Sequence, residues 1–342
     1  MMMEQPGVLD GAIAPVHNSA LFGHEAQEDF LARAYRSGKL HHALLIEGPQ
    51  GVGKATLAFR FAQHVLSHPD PQAAPETMAA PDPESPIARQ LASGASHNLL
   101  HITRPVDEKT GKVKTAITIE EIRRVGHFFS QTSGTGNWRI VIIDPADDMN
   151  RNAANAVLKV LEEPPKRSLF LVLSHAPGKL LPTIRSRCLP LKLSALQPDD
   201  LLKAIGHLGL AVHGDQKPVL VDLAKGSVSQ ALKLINYGGA DIIAAFREVL
   251  SSDASTARRK MHKLADALSG KDGDVVFQFF LDHLTEYLMQ MAKDAAMTGN
   301  LVSADRLSHL TSDLTQRLVI AGAYNLDRKQ TILDVLVDVR AC

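Results

Sequence analysis

Between about residue 42 and residue 193, short apolar runs alternate with stretches in which apolar residues recur every three or four positions. The runs His42–Glu47, Leu99–Thr103, Trp138–Asp144, Leu169–Ser174 and Leu189–Leu193 read as buried strands. Helical periodicity lies between them, as from Ile119 to about Gln131, where it gives way to the turn Gly134-Thr135-Gly136-Asn137. Strands separated by helices predict an α/β fold, a parallel sheet with helices on both faces. Past residue 195 the β signal fades. Helices are predicted at Pro198–Leu208, Lys217–Lys225 and Ser229–Tyr237, and Gly238-Gly239 reads as a hinge. The last hundred or so residues read as four or five amphipathic helices. One of them, Val275–Ala295, carries a Phe277, Phe279, Phe280, Leu284 and Leu288 stripe suited to a bundle core.

Between the first helix and the second strand, Pro69, Pro71, Pro75, Pro81, Pro83 and Pro86 stand among many alanines. This composition reads as a solvated insertion, not as core.

The first strand runs into Gly48-Pro49-Gln50-Gly51-Val52-Gly53-Lys54, most of a phosphate-binding loop, and Leu57-Ala58-Phe59-Arg60-Phe61-Ala62 continues as helix. The G-x-x-x-x-G-K-[ST] pattern is broken at its last position, where Ala55 replaces the hydroxyl that normally holds magnesium. Backbone amides and the Lys54 ammonium can cradle phosphate without residue 55, so binding and hydrolysis are separable. Thr56 does not substitute, since one step along a helix turns the side chain by about 100°. A second motif, Arg139-Ile140-Val141-Ile142-Ile143-Asp144, is a strand ending in a carboxylate, as in a Walker B element. The next residue, normally a glutamate that polarises the attacking water, is Pro145. Asp147 and Asp148 read as an acidic cap on the following helix.

Composition changes this picture little. The 342 residues allow two or three domains, and 45% apolar with 22% charged content is that of a soluble globular protein. Lysine plus arginine equals aspartate plus glutamate at 37 each, so contact with nucleic acid must be local or shared with other chains. Two cysteines, Cys188 and Cys342, argue against a disulfide framework and are too few for an all-cysteine zinc site. No metal site is assigned. The Met1–Pro6 start has neither a basic nor an apolar leader segment, and no run approaches 18 apolar residues, so a cytoplasmic location is expected.

Three further segments carry a resemblance. Asp144-Pro145-Ala146-Asp147-Asp148-Met149-Asn150, Asn155 through Leu161-Glu162-Glu163-Pro164-Pro165, and Leu180 through Ser186-Arg187-Cys188 closely resemble the AAA+ subunits of bacterial sliding-clamp loaders. Leu21-Phe22-Gly23-His24-Glu25 and His41–Leu45 are similar to the family's opening box, and Gly226-Ser227-Val228-Ser229-Gln230-Ala231-Leu232 to its lid. The resemblance spans roughly residues 20 to 240. It implies an N-terminal extension (1–19), an AAA+ P-loop domain (20–195, with the proline-rich insertion at about 68–96), a small helical lid (196–240) and an all-α collar (241–342).

Motor subunits of that family carry the Walker hydroxyl, the Asp-Glu pair, a four-cysteine zinc module and a lid arginine. This chain has Ala55, Pro145, no cysteine in the insertion, and Ser229 at the lid position. It keeps Arg187, which in the family is a finger reaching a neighbour's γ-phosphate. Losing the parts that serve its own site while keeping the part that serves another resembles the delta-prime, or stator, subunits of DNA polymerase III. What this implies is a non-hydrolysing member of the polymerase III holoenzyme with no ATPase of its own. Its partners would be gamma/tau motor subunits, delta, the sliding clamp and primer-template DNA. Gly48, Pro49, Gln50, Gly51, Val52, Gly53, Lys54, Ala55, Thr56 and Asp144 would form a degenerate nucleotide site, with no required cofactor and no zinc. That site either binds ATP or ADP weakly without hydrolysis or only holds the loop's shape. Ser174 or His175 falls at the family's sensor position. Two other readings stay open, an active motor-type AAA+ ATPase and a P-loop adaptor outside replication.

Overall fold

Five apolar runs become one parallel sheet in the computed structural model, which describes residues 8–107, 109, 111, 113–130, 136–214, 216–270, 273–324 and 326–341, the side chains of 319, 322 and 323 excepted. The strands are β1 (Ala43–Glu47), β2 (Leu99–Ile102), β3 (Arg139–Ile143), β4 (Ser168–Ser174) and β5 (Leu189–Lys192), in the order β2-β3-β4-β1-β5. Leu45 pairs with Val172 of β4 on one side and with Pro190 of β5 on the other. Pro190, which has no N–H to give, is tolerated because β5 is an edge strand. All seven residues of β4 are buried, as expected of a central strand covered on both faces.

Alternate side chains of the sheet feed two cores. Leu44, Ile46, Ile140, Ile142, Leu169 and Leu171 pack with Leu57, Phe61 and Val65 of α2 (Lys54–Ser67). Leu45, Val141, Ile143, Phe170 and Val172 pack with Ile122 and Val125 of α4 (Ile119–Ser130) and with Val157 and Leu161 of α5 (Arg151–Glu162). Glu121 reaches back over the start of α4, its Oε2 accepting the Thr118 N–H at 2.8 Å. Two predicted features, the Gly134-Thr135 turn and the helix end at Gln131, lie outside the described residues, as does the Met1–Pro6 start.

The insertion differs from its expected character. It contains a short helix, α3 (Pro86–Ala92), started by Ser85, whose Oγ accepts the Ala88 N–H at 3.2 Å with Pro86 at the first helical position. Leu91 and Ala74 are buried in the α2-side core, and the Ala74 carbonyl accepts from Arg36 of α1 (Glu25–Arg36). A few apolar anchors therefore hold a segment whose average composition is that of a loop.

By its internal contacts the chain divides into two units, Met1–Ala231 and Leu232–Cys342. The first also holds α6 (Pro182–Arg185), α7 (Pro198–His207), α8 (Lys217–Ala224) and the start of α9 (Val228–Asn236). The second contains α10 (Gly239–Ser251), α11 (Ala254–Leu268), α12 (Gly273–Met297), α13 (Leu301–Ala323) and α14 (Arg328–Arg340), and Gly238-Gly239 opens α10 within it. Phe279, Phe280, Leu284 and Leu288 are buried there with Phe246, Leu264 and Leu336, so the aromatic stripe is bundle core. Phe277 packs at the rim of that core beneath the Arg328 guanidinium, 5.0 Å from its ring centre. Among the described residues no helix is long and apolar enough to cross a membrane.

Candidate functional site

The phosphate-binding loop joins β1 to α2, and its course is set by glycines. Gly51 (φ +77°) and Gly53 (φ +105°) take left-handed backbone that side chains disfavour, and a Cβ on Gly53 would overlap Leu21. Gly48 N–H donates to the Ser174 carbonyl at 3.2 Å, which ties the loop's start to the tip of β4. His24 Nε2 lies 2.9 Å from the Val52 carbonyl and ties the loop's far side to the N-terminal segment. Lys54 opens α2, so the helix's first amides, which lack intrahelical acceptors, point into the loop. In backbone geometry this cradle fits a phosphate. For magnesium the set is incomplete, because Asp144 is present but residue 55 has no oxygen to give; Pro145 removes the water-polarising carboxylate, which is a separate loss. Thr56 is buried, in keeping with its turn away from the loop. Among the described residues, no group of three or more histidines, cysteines or carboxylates is placed to hold a metal ion.

Lys54 is turned back on its own loop. Its Nζ donates to the carbonyls of Gly48 at 2.7 Å and Pro49 at 2.5 Å, and the residue is only 4% exposed. Burial pushes its pKa down to about 8, while Asp144 and Asp147 pull it up. The segment 227–229 rests on the same loop. Ser227 Oγ donates to the Gln50 carbonyl at 2.8 Å and lies 3.1 Å from Ser229 Oγ, and Val228 N–H donates to the Gly51 carbonyl at 2.9 Å. A Cβ on Gly51 would overlap both serine hydroxyls. Ser229 thus touches the loop backbone, and Ser227 was not singled out from sequence. Its sequence signals are the Gly226-Ser227 start of the lid-like segment and a hydroxyl directly before a helix.

Asp144 lies at the end of β3, 3.6 Å from His101 Nε2. The acidic pair that follows does not cap α5. Asn150 does, its Oδ1 accepting from Ala153 N–H at 2.9 Å. Asp147 turns instead to the end of β4, where its carboxylate accepts from Ser174 Oγ (2.7 Å), His175 N–H (2.5 Å) and Ala176 N–H (3.3 Å). Asp148 pairs with Arg104 at 3.1 Å, and burial raises its pKa despite that arginine. The helix start was one residue group further on than the acidic pair, and Asn150 had the better position for its amide. His175 is held below its ordinary pKa by burial and then by Lys54.

Arg187 follows the short α6, on the same unit but separate from the loop's hydrogen-bond network. Its Nη2 pairs with Glu162 Oε1 at 2.6 Å, and its Nη1 donates to the Thr183 carbonyl at 2.9 Å. The side chain is one-third exposed. The neighbouring Cys188 is buried, which pushes its thiol up to about 11 and leaves it unreactive at neutral pH. Sequence reasoning placed Glu162 in a motif without giving it a partner.

A P-loop after β1, a five-stranded parallel sheet in this order and an all-helical C-terminal region define an AAA+ protein. The family model described as DNA polymerase III, delta subunit matches residues 23–197, more than half of the 342, and the chain belongs to that family. It is 36% identical over 147 residues to DNA polymerase III subunit delta' of Pseudomonas aeruginosa, a match covering 43% of this chain and 41% of that protein. It is 28% identical over 211 residues to DNA polymerase III subunit gamma of Buchnera aphidicola, covering 60% of this chain and 54% of that one. The chain therefore matches only about half the length of these relatives. Among solved structures, a DNA polymerase III gamma subunit-related protein from Thermotoga maritima aligns over 92% of this chain and 99% of its own. The identity is 17% and the TM-score 0.48.

Proposed function

We propose that this chain is a non-hydrolysing, delta-prime-type stator subunit of a DNA polymerase III clamp loader. In this reading it works beside gamma/tau motor subunits and delta, and contributes Arg187 in trans to a motor's ATP site while the sliding clamp is loaded onto primed DNA. One contrast carries the reading. Lys54 spends its ammonium on the carbonyls of its own loop, whereas Arg187 stands one-third exposed on a separate rim. A guanidinium is permanently charged and presents a planar donor fork, which suits it to phosphoryl oxygens as charge develops on them. Ala55 and Pro145 remove the magnesium oxygen and the water-polarising base at two separate points, so the chain's own site lacks the parts for hydrolysis. Any nucleotide held there would be bound through the cradle amides and Lys54, without zinc or another required cofactor.

The test is the reconstituted loader with clamp and primed DNA, assembled with wild type, Arg187→Ala or Arg187→Lys. All three should assemble. Both variants should lower clamp-dependent ATP turnover, because lysine keeps the charge but loses the fork. Arginine fingers in GTPases supply about 10³- to 10⁵-fold, an upper limit where several ATP sites share the turnover. Wild-type rates in both variants would reject the finger.

A second reading, an active motor-type subunit, draws on the longer match to gamma and tau subunits, 60% of this chain for gamma against 43% for delta'. Lys54-dependent ATP hydrolysis by the isolated chain would favour it.

A further inference from the structure

We infer that Glu162 is a positioning residue for Arg187, holding the guanidinium at the angle from which it meets a phosphoryl group on a neighbouring chain; this rests on the finger reading above. The guanidinium is gripped from two elements. Glu162, the last residue of α5, takes an N–H of Nη2 at 2.6 Å, and the Thr183 carbonyl of α6 takes one of Nη1 at 2.9 Å. Arginine has five N–H donors in a rigid fork, so these two bonds fix its plane from one side and leave three donors for a ligand.

A role in stability is a weak account of the pair. Glu162 is half exposed and Arg187 one-third exposed, and solvent screens such pairs until they contribute little to folding. What the pair does change is rotamer freedom. An arginine side chain at a surface samples many orientations, and a catalytic group held in one of them reacts without first being ordered. Pro164 and Pro165 end α5 directly after Glu163, so the chain cannot continue as helix and carry Glu162 away from α6.

The experiment is a double-mutant cycle in the reconstituted loader, with clamp and primed DNA: wild type, Glu162→Ala, Glu162→Gln, Arg187→Ala and Glu162→Ala/Arg187→Ala. Glu162→Ala should lower kcat for ATP about three- to tenfold with KM unchanged. Glu162→Gln should fall between, since an amide oxygen still accepts the N–H without the charge. In the Arg187→Ala background the Glu162 change should have no further effect. In parallel, NMR order parameters of the Arg187 Nε–H in the full isolated chain should drop in Glu162→Ala. An equal loss from Glu162→Ala with and without Arg187, or no loss at all while Arg187→Ala slows turnover, overturns the positioning role and leaves the finger standing. If Arg187→Ala leaves turnover unchanged, the finger reading fails and the positioning role falls with it, whatever the order parameters show.

Discussion

The Ser174 hydroxyl donates to Asp147 at 2.7 Å, and the same carboxylate accepts the backbone N–H groups of His175 and Ala176. Ser174 is fully buried at the tip of the central strand, beside the carbonyl that receives Gly48. Asp147→Ala strands a buried hydroxyl and leaves two amides without their acceptor, so it should destabilise the first unit by about 2–3 kcal/mol. Asp147→Asn, which keeps one acceptor oxygen, should cost less. Urea unfolding measures both, and a loss below about 0.5 kcal/mol for Asp147→Ala would show that the carboxylate does not anchor the strand end.

The isolated chain should hydrolyse ATP no faster than its Lys54→Ala variant. Loss of base or water-orienting catalysis commonly removes about 10²- to 10⁴-fold. Steady-state phosphate release is the measurement. A Lys54-dependent turnover on the order of 1 s⁻¹ would defeat the stator reading, whereas nucleotide binding without turnover would not touch it.

Gly51→Ala should weaken the contact of the loop with Ser227 and Ser229 and lower stability. The new methyl must take left-handed backbone, costing about 1 kcal/mol, and it also meets the Ser227 and Ser229 hydroxyls. Adding Ser229→Gly removes one of those hydroxyls and should recover part of the loss, but not the backbone part. Thermal melts of the two variants check this. Equal stability of Gly51→Ala and wild type would mean that Ser227 and Ser229 do not pack on the loop in solution.

His64 supplies a pH dependence. Burial among Tyr35 and Phe61, with His68 beside it, pushes its pKa down to about 4 from the ordinary 6.5. Between those values the unfolded chain binds more protons than the folded one, so stability falls as pH drops from 6.5 toward 4. His64→Phe should remove this contribution, on the order of 2–3 kcal/mol, and flatten the difference curve over that window. Denaturant unfolding of both proteins at pH 7, 5.5 and 4.5 gives the comparison. Parallel curves would mean that His64 titrates normally.

Much of the fold was legible because its signals are local. Each strand is an apolar run such as Leu169–Ser174, and Gly51 and Gly53 declare a loop that only glycine can make. What sequence reasoning missed depends on partners distant along the chain. Asp147 reads as a helix cap because the donors to its carboxylate lie 27 to 29 residues away, at and just beyond the end of β4. Ser227 meets Gln50 across 177 residues, and no spacing rule announces it. The helix in the insertion is a different case. Ser85-Pro86 is a local start signal, outweighed by the proline and alanine average around it.

The folded-back Lys54 also has a meaning in terms of charge. Burial lowers its pKa to about 8 against the pull of Asp144 and Asp147, and two loop carbonyls already hold its ammonium, so the cradle's cation is partly spent. A nucleoside triphosphate brings several negative charges that a divalent ion would ordinarily share, and residue 55 offers that ion no oxygen. The backbone amides at the start of α2, not the lysine, are then the groups left to meet a phosphate.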